Sequence, residues 1–284
     1  MKRRVAALSA YCSAIVGLTA SGLILGTLGV SGQEILYEHP NAEAVEIRSE
    51  VVQGSDVAVD LYYPADRGDG PIPAVILVIG YPDDALPVGS LKDTGYYRSW
   101  GRLLAAEGMV GVIYSTDRPA GDLYVIMEFL QGEARRLQID TERVALWSAS
   151  ANAALALKYA RSPGRIDPSA FVAYSGLLPT PDRYQATALD SMSAQFGFVL
   201  PPYVAAENYP SSLPIYLVRA GLDRFPEVLS SIDHFVQYAL EGNLRLTVRN
   251  YPGGHHSFDF EDDTEETRSI IAETLAFLRR HLHS

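Results

Sequence analysis

A serine stands in a turn of small residues between a strand-like and a helix-like stretch of the sequence. Residues 144–147 are apolar, Ser150 follows, and residues 151–161 carry apolar side chains at helical spacing. A sharp strand-to-helix turn of this kind exposes a hydroxyl for nucleophilic attack, and its usual pattern is G-x-S-x-G. Ser148 and Asn152 occupy the two glycine positions here. The turn therefore predicts Ser150 as a nucleophile in a modified elbow.

Two other interpretations fit the same turn. Ser148 as the nucleophile would place Leu146 two residues upstream, where a bulky side chain clashes with the neighbouring backbone. Ser150 as a simple helix cap would need no chemistry, because serine is a favoured N-cap residue. We favour Ser150 as the nucleophile, provided that an acid and a base follow in suitable places.

The acid and the base that such a serine needs also have candidates. Asp223 follows the apolar residues 215–218 and Gly221, at the end of a predicted strand. His255 and His256 follow two glycines after the last predicted strand. An imidazole with a pKa of about 6.5 can take up and return a proton at neutral pH. On this reasoning either histidine can be the base, and the alternatives are a helix-capping aspartate and a solvated histidine.

Serine, aspartate and histidine occur in that order, and each follows a different predicted strand. The carboxyl ends of parallel strands meet at one edge of a sheet, so the three side chains are expected to converge there. This order is typical of triads on open α/β sheets. The sequence predicts a serine hydrolase that cleaves a carboxylic ester or related acyl bond through an acyl-serine intermediate. The alternatives are a peptidase, thioesterase or acyltransferase on the same triad, and a non-catalytic binding protein.

Acyl transfer also needs hydrogen-bond donors for the oxyanion of the tetrahedral intermediate. Two backbone N–H groups usually supply them. Ala151 follows Ser150 at the start of a predicted helix, whose dipole favours negative charge. The second donor is expected in the loop after Ile79, and we choose Tyr81 because Pro82 has no N–H.

The elements that must position these residues alternate between strands and helices. Apolar runs typical of strands buried on both faces occur at residues 74–79, 110–114, 144–147, 171–174 and 215–218. Helical spacing occurs at residues 97–107, 120–137, 151–161, 228–240 and 264–281. Alternating strands are expected at residues 44–48, 57–63 and 244–251. The pattern predicts one α/β domain over residues 36–284, with a mainly parallel central sheet and helices on both faces.

One segment, residues 177–213, interrupts this alternation. It contains five prolines and scattered aromatic residues. Long connections in compact domains are usually functional, although a plain surface loop is the alternative. We interpret the segment as a short lid or pocket wall.

The motifs together resemble the dienelactone-hydrolase-like branch of the α/β hydrolases, in a form with a serine nucleophile. The resemblance spans residues 44–282 and is carried by the elbow, residues 79–83, residues 220–223 and residues 253–259. It implies the α/β-hydrolase fold and a triad of Ser150, Asp223 and His256. His256 is implied over His255 because the catalytic histidine of this branch is typically followed by a small residue and a phenylalanine.

Composition excludes several other classes of protein. The net charge is −11 and the pI about 5.0, which disfavours nucleic acid and anionic membranes as partners. The sequence contains no H-E-x-x-H, no P-loop and no strand-linked G-x-G-x-x-G, so neither a metal nor a cofactor is predicted. The expected partner is a small-molecule acyl substrate, and the sequence leaves the oligomeric state open.

The N-terminus is typical of an export signal. Lys2, Arg3 and Arg4 precede an uncharged, mostly apolar stretch over residues 5–30. Residues 1–33 are therefore predicted to be a signal peptide or a membrane anchor. The single cysteine, Cys12, lies within them, which excludes a cysteine nucleophile in the catalytic domain. We expect a periplasmic or extracellular protein.

Overall fold

The computed structural model describes residues 32–43, 45–85, 89–202 and 209–283. The predicted signal or anchor segment lies outside these ranges, except for its last two residues. Among the helices described, none is long and apolar enough to cross a membrane.

An eight-stranded sheet forms the centre of the molecule, in the order β1-β2-β4-β3-β5-β6-β7-β8. β1 pairs with β2 and β2 with β4 in antiparallel fashion, and the remaining neighbours are parallel. The strands are β1 Glu46–Val51, β2 Ala58–Tyr63, β3 Ile72–Leu77, β4 Val110–Tyr114, β5 Ile139–Ala149, β6 Ala170–Tyr174, β7 Ile215–Ala220 and β8 Leu246–Tyr251.

Helices cover both faces of this sheet. Every residue of β3, β4 and β6 is buried, which requires cover on both sides because successive side chains of a strand point to opposite faces. The helices are α1 Gly95–Ala106, α2 Pro119–Leu137, α3 Asn152–Arg161, α4 Arg183–Phe196, α5 Pro226–Glu241, α6 Phe258–Glu261 and α7 Glu265–Leu282. The predicted α/β architecture with a mainly parallel sheet is confirmed.

Two strands are displaced from their predicted bounds. β1 covers Glu46–Val51 instead of residues 44–48, since its ends are set by pairing with β2; Ala44 lies outside the described residues. β3 covers Ile72–Leu77 instead of residues 74–79. The Val78 N–H still donates to Trp147 O at 2.9 Å, but the chain then leaves the sheet. The apolar residues after Leu77 thus begin a loop at the sheet edge.

The strand order reverses at β3, which lies between β4 and β5 in the sheet. The chain runs from β3 to β4 on one side and then to β5 on the other. A crevice forms at the carboxyl ends of two strands where such a reversal occurs, and it is the usual ligand site of open α/β sheets. The loop after Ile79 and the turn at Ser150 both lie at this crevice.

The segment at residues 177–213 contains a helix that the sequence analysis did not predict, α4 (Arg183–Phe196). α4 packs against α5. After it, Val199 N donates to Gly80 O at 2.9 Å, and the Phe198 ring packs edge-on against Tyr81 at 5.7 Å between centroids. This segment therefore contacts the loop after β3.

Candidate active site

Ser150 lies in a left-handed turn between β5 and α3, with φ of 55°. A residue with a Cβ rarely adopts this conformation, which persists only where its surroundings enforce it. Ser150 N donates to Tyr174 O at 2.9 Å, and Ser150 O accepts from Leu177 N at 2.9 Å. These bonds to the end of β6 and to the segment that follows it hold the strained turn in place. The small neighbours Ala149 and Ala151 leave the hydroxyl facing a pocket.

The three side chains singled out in the sequence meet at this turn. Ser150 Oγ lies 2.7 Å from His256 Nε2, and His256 Nδ1 lies 2.6 Å from Asp223 Oδ2. Both are hydrogen-bonding distances. The Asp223 side chain is fully buried, and that of His256 is 9% exposed. A hydroxyl, an imidazole and a buried carboxylate thus form one continuous chain of hydrogen bonds.

Two loops joined backbone to backbone hold the acid and the base in register. Gly221 N donates to Tyr251 O at 2.7 Å, and Leu222 N donates to Gly254 O at 2.8 Å. A Cβ on Gly221 would lie 2.5 Å from Pro252 O, so only glycine allows this approach. These bonds therefore hold two loops together. The loop after β7 carries Asp223, and the loop after β8 carries the histidines.

The alternatives left open by the sequence occupy different surroundings. His255 Nδ1 pairs with Asp262 at 2.7 Å, and its side chain is 56% exposed. The Ser148 hydroxyl is buried and donates to Val172 O at 3.2 Å, within the sheet. The geometry therefore brings Ser150 and His256 together, and it does not bring Ser148 or His255 to them.

Both residues predicted to bind the oxyanion line the pocket beside Ser150. Ala151 directly precedes α3, and Tyr81 lies in the loop after β3. In that loop the Gly80 N–H is already used, since it donates to Asn152 Oδ1 at 2.7 Å. The next N–H along the loop belongs to Tyr81, which is the donor that the sequence analysis chose.

A mainly apolar cavity of about 160 Å³ opens at Ser150. α4 and the residues after it contribute Met192, Phe196 and Phe198 to its wall. The remaining apolar wall consists of Leu91, Leu177, Phe225, Val228 and Phe260, and its polar residues include Tyr96, Tyr97, Arg224 and Asp259. Among the described residues, no group of three or more His, Cys, Asp or Glu side chains is placed to hold a metal ion.

Asp259 is a buried carboxyl in the pocket wall that the sequence analysis missed. Its Oδ2 accepts from Tyr96 OH at 2.8 Å and from Trp100 Nε1 at 3.1 Å. Burial raises the pKa of Asp259 to about 6, against the opposing effect of these donors. The only signal in the sequence is its place three residues after His256.

The stability of Asp259→Asn, measured as its free energy of unfolding relative to that of wild type, is expected to increase as the pH rises. An acid whose pKa is raised by folding gives stability at low pH that is lost as the pH rises from its unfolded value through its folded value, here from about 4 to about 6. The asparagine oxygen can accept both bonds from α1 without any charge. The free energy of unfolding of the variant, relative to wild type, should therefore increase by about 2 kcal/mol between pH 4 and pH 7. Urea unfolding at both pH values measures this, and a pH-independent difference would contradict it.

Comparison with known proteins shows the fold. No family model matches the sequence, and no curated protein matches it significantly. Among solved structures, a bacterial heroin esterase aligns with a TM-score of 0.66 and 18% identity, over 93% of this chain and 90% of that one. An esterase from the archaeon Pyrobaculum calidifontis aligns with a TM-score of 0.62 and 18% identity, over 92% and 90%. An esterase from Thermogutta terrifontis aligns at 0.60 and 16%, over 85% and 94%. The chain has the α/β-hydrolase fold.

Proposed function

We propose that this protein is a serine hydrolase that cleaves carboxylic esters through an acyl-Ser150 intermediate. The observation that carries the proposal is the chain of hydrogen bonds from Ser150 Oγ through His256 to the buried carboxylate of Asp223. A strained turn presents the serine to an apolar pocket. Nucleophile, base and orienting acid are the parts that acyl transfer requires.

The reaction proceeds in two halves. Ser150 Oγ attacks the ester carbonyl carbon while His256 Nε2 takes the hydroxyl proton, and the carbonyl oxygen becomes an oxyanion. The intermediate then collapses, the bond to the alcohol breaks, and the imidazolium gives its proton to the departing oxygen. A water molecule then attacks the acyl carbon while His256 takes its proton. The bond to Ser150 Oγ breaks, the proton returns to Oγ, and the acid is released. Asp223 holds the Nδ1–H tautomer and stabilises the imidazolium, and the N–H groups of Tyr81 and Ala151 bind the oxyanion.

Two lines of similarity support this reaction. The three aligned structures, from a bacterium, Thermogutta terrifontis and Pyrobaculum calidifontis, are described as esterases. The motifs around the triad resemble the dienelactone-hydrolase-like branch. We therefore place the chain with the esterases of this fold and assign it no cofactor.

The pocket and the N-terminus add to the proposal. An apolar wall beside Ser150 suits a small, uncharged acyl or alcohol group. Leu177, Met192, Phe196 and Phe198 form part of that wall, and their segment, residues 177–213, is proposed as a short lid over the catalytic domain. Residues 1–33 are proposed to act as a signal peptide that directs the protein out of the cytoplasm, or as an anchor that holds the exported protein in the membrane. The net charge of −11 makes nucleic acid an unfavourable partner.

Labelling with a fluorophosphonate tests the nucleophile directly. The wild-type protein should lose its activity toward p-nitrophenyl esters in proportion to labelling, and peptide mass mapping should place the adduct on Ser150. Hydrolysis of esters should exceed that of matched peptide amides, which separates an esterase from a peptidase. Labelling confined to Ser148, or none in a folded sample, would overturn the proposal.

A further inference from the structure

Asn152 occupies the second glycine position of the elbow pattern, but it is not a passive replacement. Its side chain is buried in the first turn of α3, and the residue is 5% exposed. Both ends of the amide are hydrogen-bonded: Oδ1 accepts from Gly80 N at 2.7 Å, and Nδ2 donates to Tyr97 OH at 2.9 Å. A glycine at this position would make neither bond.

Tyr97 anchors the amide from the opposite side. It lies in the first turn of α1 and is almost completely buried. Burial raises the pKa of Tyr97 well above its ordinary value, so the phenol stays neutral. Its ring packs edge-on against Tyr96 at 5.4 Å between centroids. The side chain of Asn152 is therefore held in one orientation by a rigid partner.

The peptide units around Gly80 are fixed as a result. Gly80 N is bonded to Asn152, and Gly80 O accepts from Val199 N at 2.9 Å. A Cβ on Gly80 would lie 3.2 Å from Asn152 Oδ1 and 3.3 Å from its Cα, so the loop is in close contact with the start of α3. With both polar groups of Gly80 held, the direction of the next N–H, that of Tyr81, is set.

We propose that Asn152 is a positioning residue that holds the loop after β3 so that the Tyr81 N–H faces the oxyanion. The inference rests on the proposed acyl transfer at Ser150 and goes beyond it by assigning a role to the altered elbow. Asn152 thereby connects the two halves of the oxyanion site, since the other donor, Ala151, directly precedes it in the chain. Preorganised donors stabilise mainly the transition state. Loss of Asn152 should therefore lower kcat and leave KM nearly unchanged.

Asn152→Ala tests this with a p-nitrophenyl ester. Loss of the anchor should lower kcat by about 10- to 100-fold and change KM by less than about twofold, since a small misplacement of a donor is costly in the transition state. Tyr97→Phe leaves the bond to Gly80 in place and should lower kcat by a smaller factor, about 3- to 10-fold. Asn41→Ala is the matched control, an exposed asparagine outside the pocket that should leave both constants unchanged.

A tetrahedral mimic separates positioning from loss of structure. A trifluoromethyl ketone forms a hemiketal with Ser150: Oγ bonds to the carbonyl carbon, the hydroxyl proton moves to His256, and the carbonyl oxygen becomes an oxyanion. The matching trifluoromethyl alcohol has nearly the same shape but forms no adduct. In Asn152→Ala the inhibition constant of the ketone should rise by the factor lost in kcat, while that of the alcohol stays within about twofold.

The possible outcomes are distinct. An unchanged kcat in Asn152→Ala, or equal weakening of ketone and alcohol, overturns the role of Asn152 while wild-type ester turnover still supports the proposed function. A wild-type protein that neither hydrolyses esters nor binds the ketone more tightly than the alcohol overturns the proposed function itself, and the inference with it. Selective weakening of the ketone in a variant with wild-type thermal stability supports both.

Discussion

Ser150→Ala is expected to lower kcat for ester hydrolysis on the order of 10⁶-fold, the scale of loss when a serine hydrolase triad is deprived of its nucleophile. The hydroxyl lies 2.7 Å from the imidazole that would take its proton, and no other side chain hydroxyl is in that position in the described structure. Alanine keeps the Cβ and hence the same left-handed strain, so the turn should remain folded. Steady-state assays with p-nitrophenyl acetate, on protein with wild-type circular dichroism, measure the loss.

Ser148→Ala is the matched control for this experiment. Ser148 is two residues away, but its hydroxyl is buried in the sheet, where it donates to Val172 O. Loss of this hydroxyl removes one neutral hydrogen bond, which costs about 1 kcal/mol of stability. It should leave kcat within about threefold of wild type, far from the loss expected when the nucleophile is removed. Wild-type activity in Ser150→Ala together with inactivation in Ser148→Ala would reverse the assignment of the nucleophile.

The sheet could be predicted because strands buried on both faces are apolar throughout. β4 matches its predicted bounds, Val110–Tyr114, for this reason. The predicted bounds of edge strand β1, residues 44–48, are wrong at both ends, since an exposed strand carries a weak pattern and its ends depend on pairing with β2. β5 begins at Ile139, well before the predicted residues 144–147. Ile139 is buried, but residues 140–143 are polar and half-buried or exposed, so hydropathy alone does not reveal this part of the strand.

The site was predictable where chemistry follows the ends of strands and not where it depends on distant contacts. Ser150 and Asp223 each come directly after an apolar run. The residues alone leave His255 and His256 open, and only the family resemblance implies His256. In the structure, His255 pairs with Asp262 on the exposed side of the loop. Asn152 was marked only as a replaced glycine, because its bond to Gly80 joins residues 72 positions apart.

Asp259 could not be predicted from the sequence because its role also depends on residues far away in the chain. Its partners Tyr96 and Trp100 lie 163 and 159 residues away in the chain. No local pattern connects them, and aspartate side chains are mostly exposed. Together with Asn152, it makes the first turns of α1 the common support of two loops: Tyr97 holds the elbow, and Tyr96 holds the segment that follows His256. The loops that carry Ser150 and His256 are therefore supported by α1, a helix whose sequence predicts only a place in the fold.

The orienting carboxylate gives the second large effect, because its hydrogen bonds decide which nitrogen of His256 carries the proton. Asp223 Oδ2 bonds to His256 Nδ1 at 2.6 Å, and Oδ1 accepts from Phe225 N at 2.9 Å. In Asp223→Asn, the Phe225 N–H will hold the amide oxygen and turn the amide NH₂ toward Nδ1. The ring must then accept at Nδ1 and carry its proton on Nε2, where it cannot take the proton of Ser150.

Asp223→Asn should therefore lower kcat by about 10⁴-fold at neutral pH, the scale found when a triad is locked in the wrong tautomer. Nitrogen-15 NMR of the His256 ring should show the proton on Nδ1 in wild type and on Nε2 in the variant. Asp262→Asn is the matched control, since it makes the same change beside the neighbouring His255, whose Nδ1 lies 2.7 Å from Asp262. It should keep kcat within about threefold, because His255 has no part in the triad. If Asp262→Asn causes the larger loss, the roles of the two histidines are exchanged. If Asp223→Asn retains wild-type kcat with the proton on Nε2, the carboxylate does not set the tautomer for catalysis.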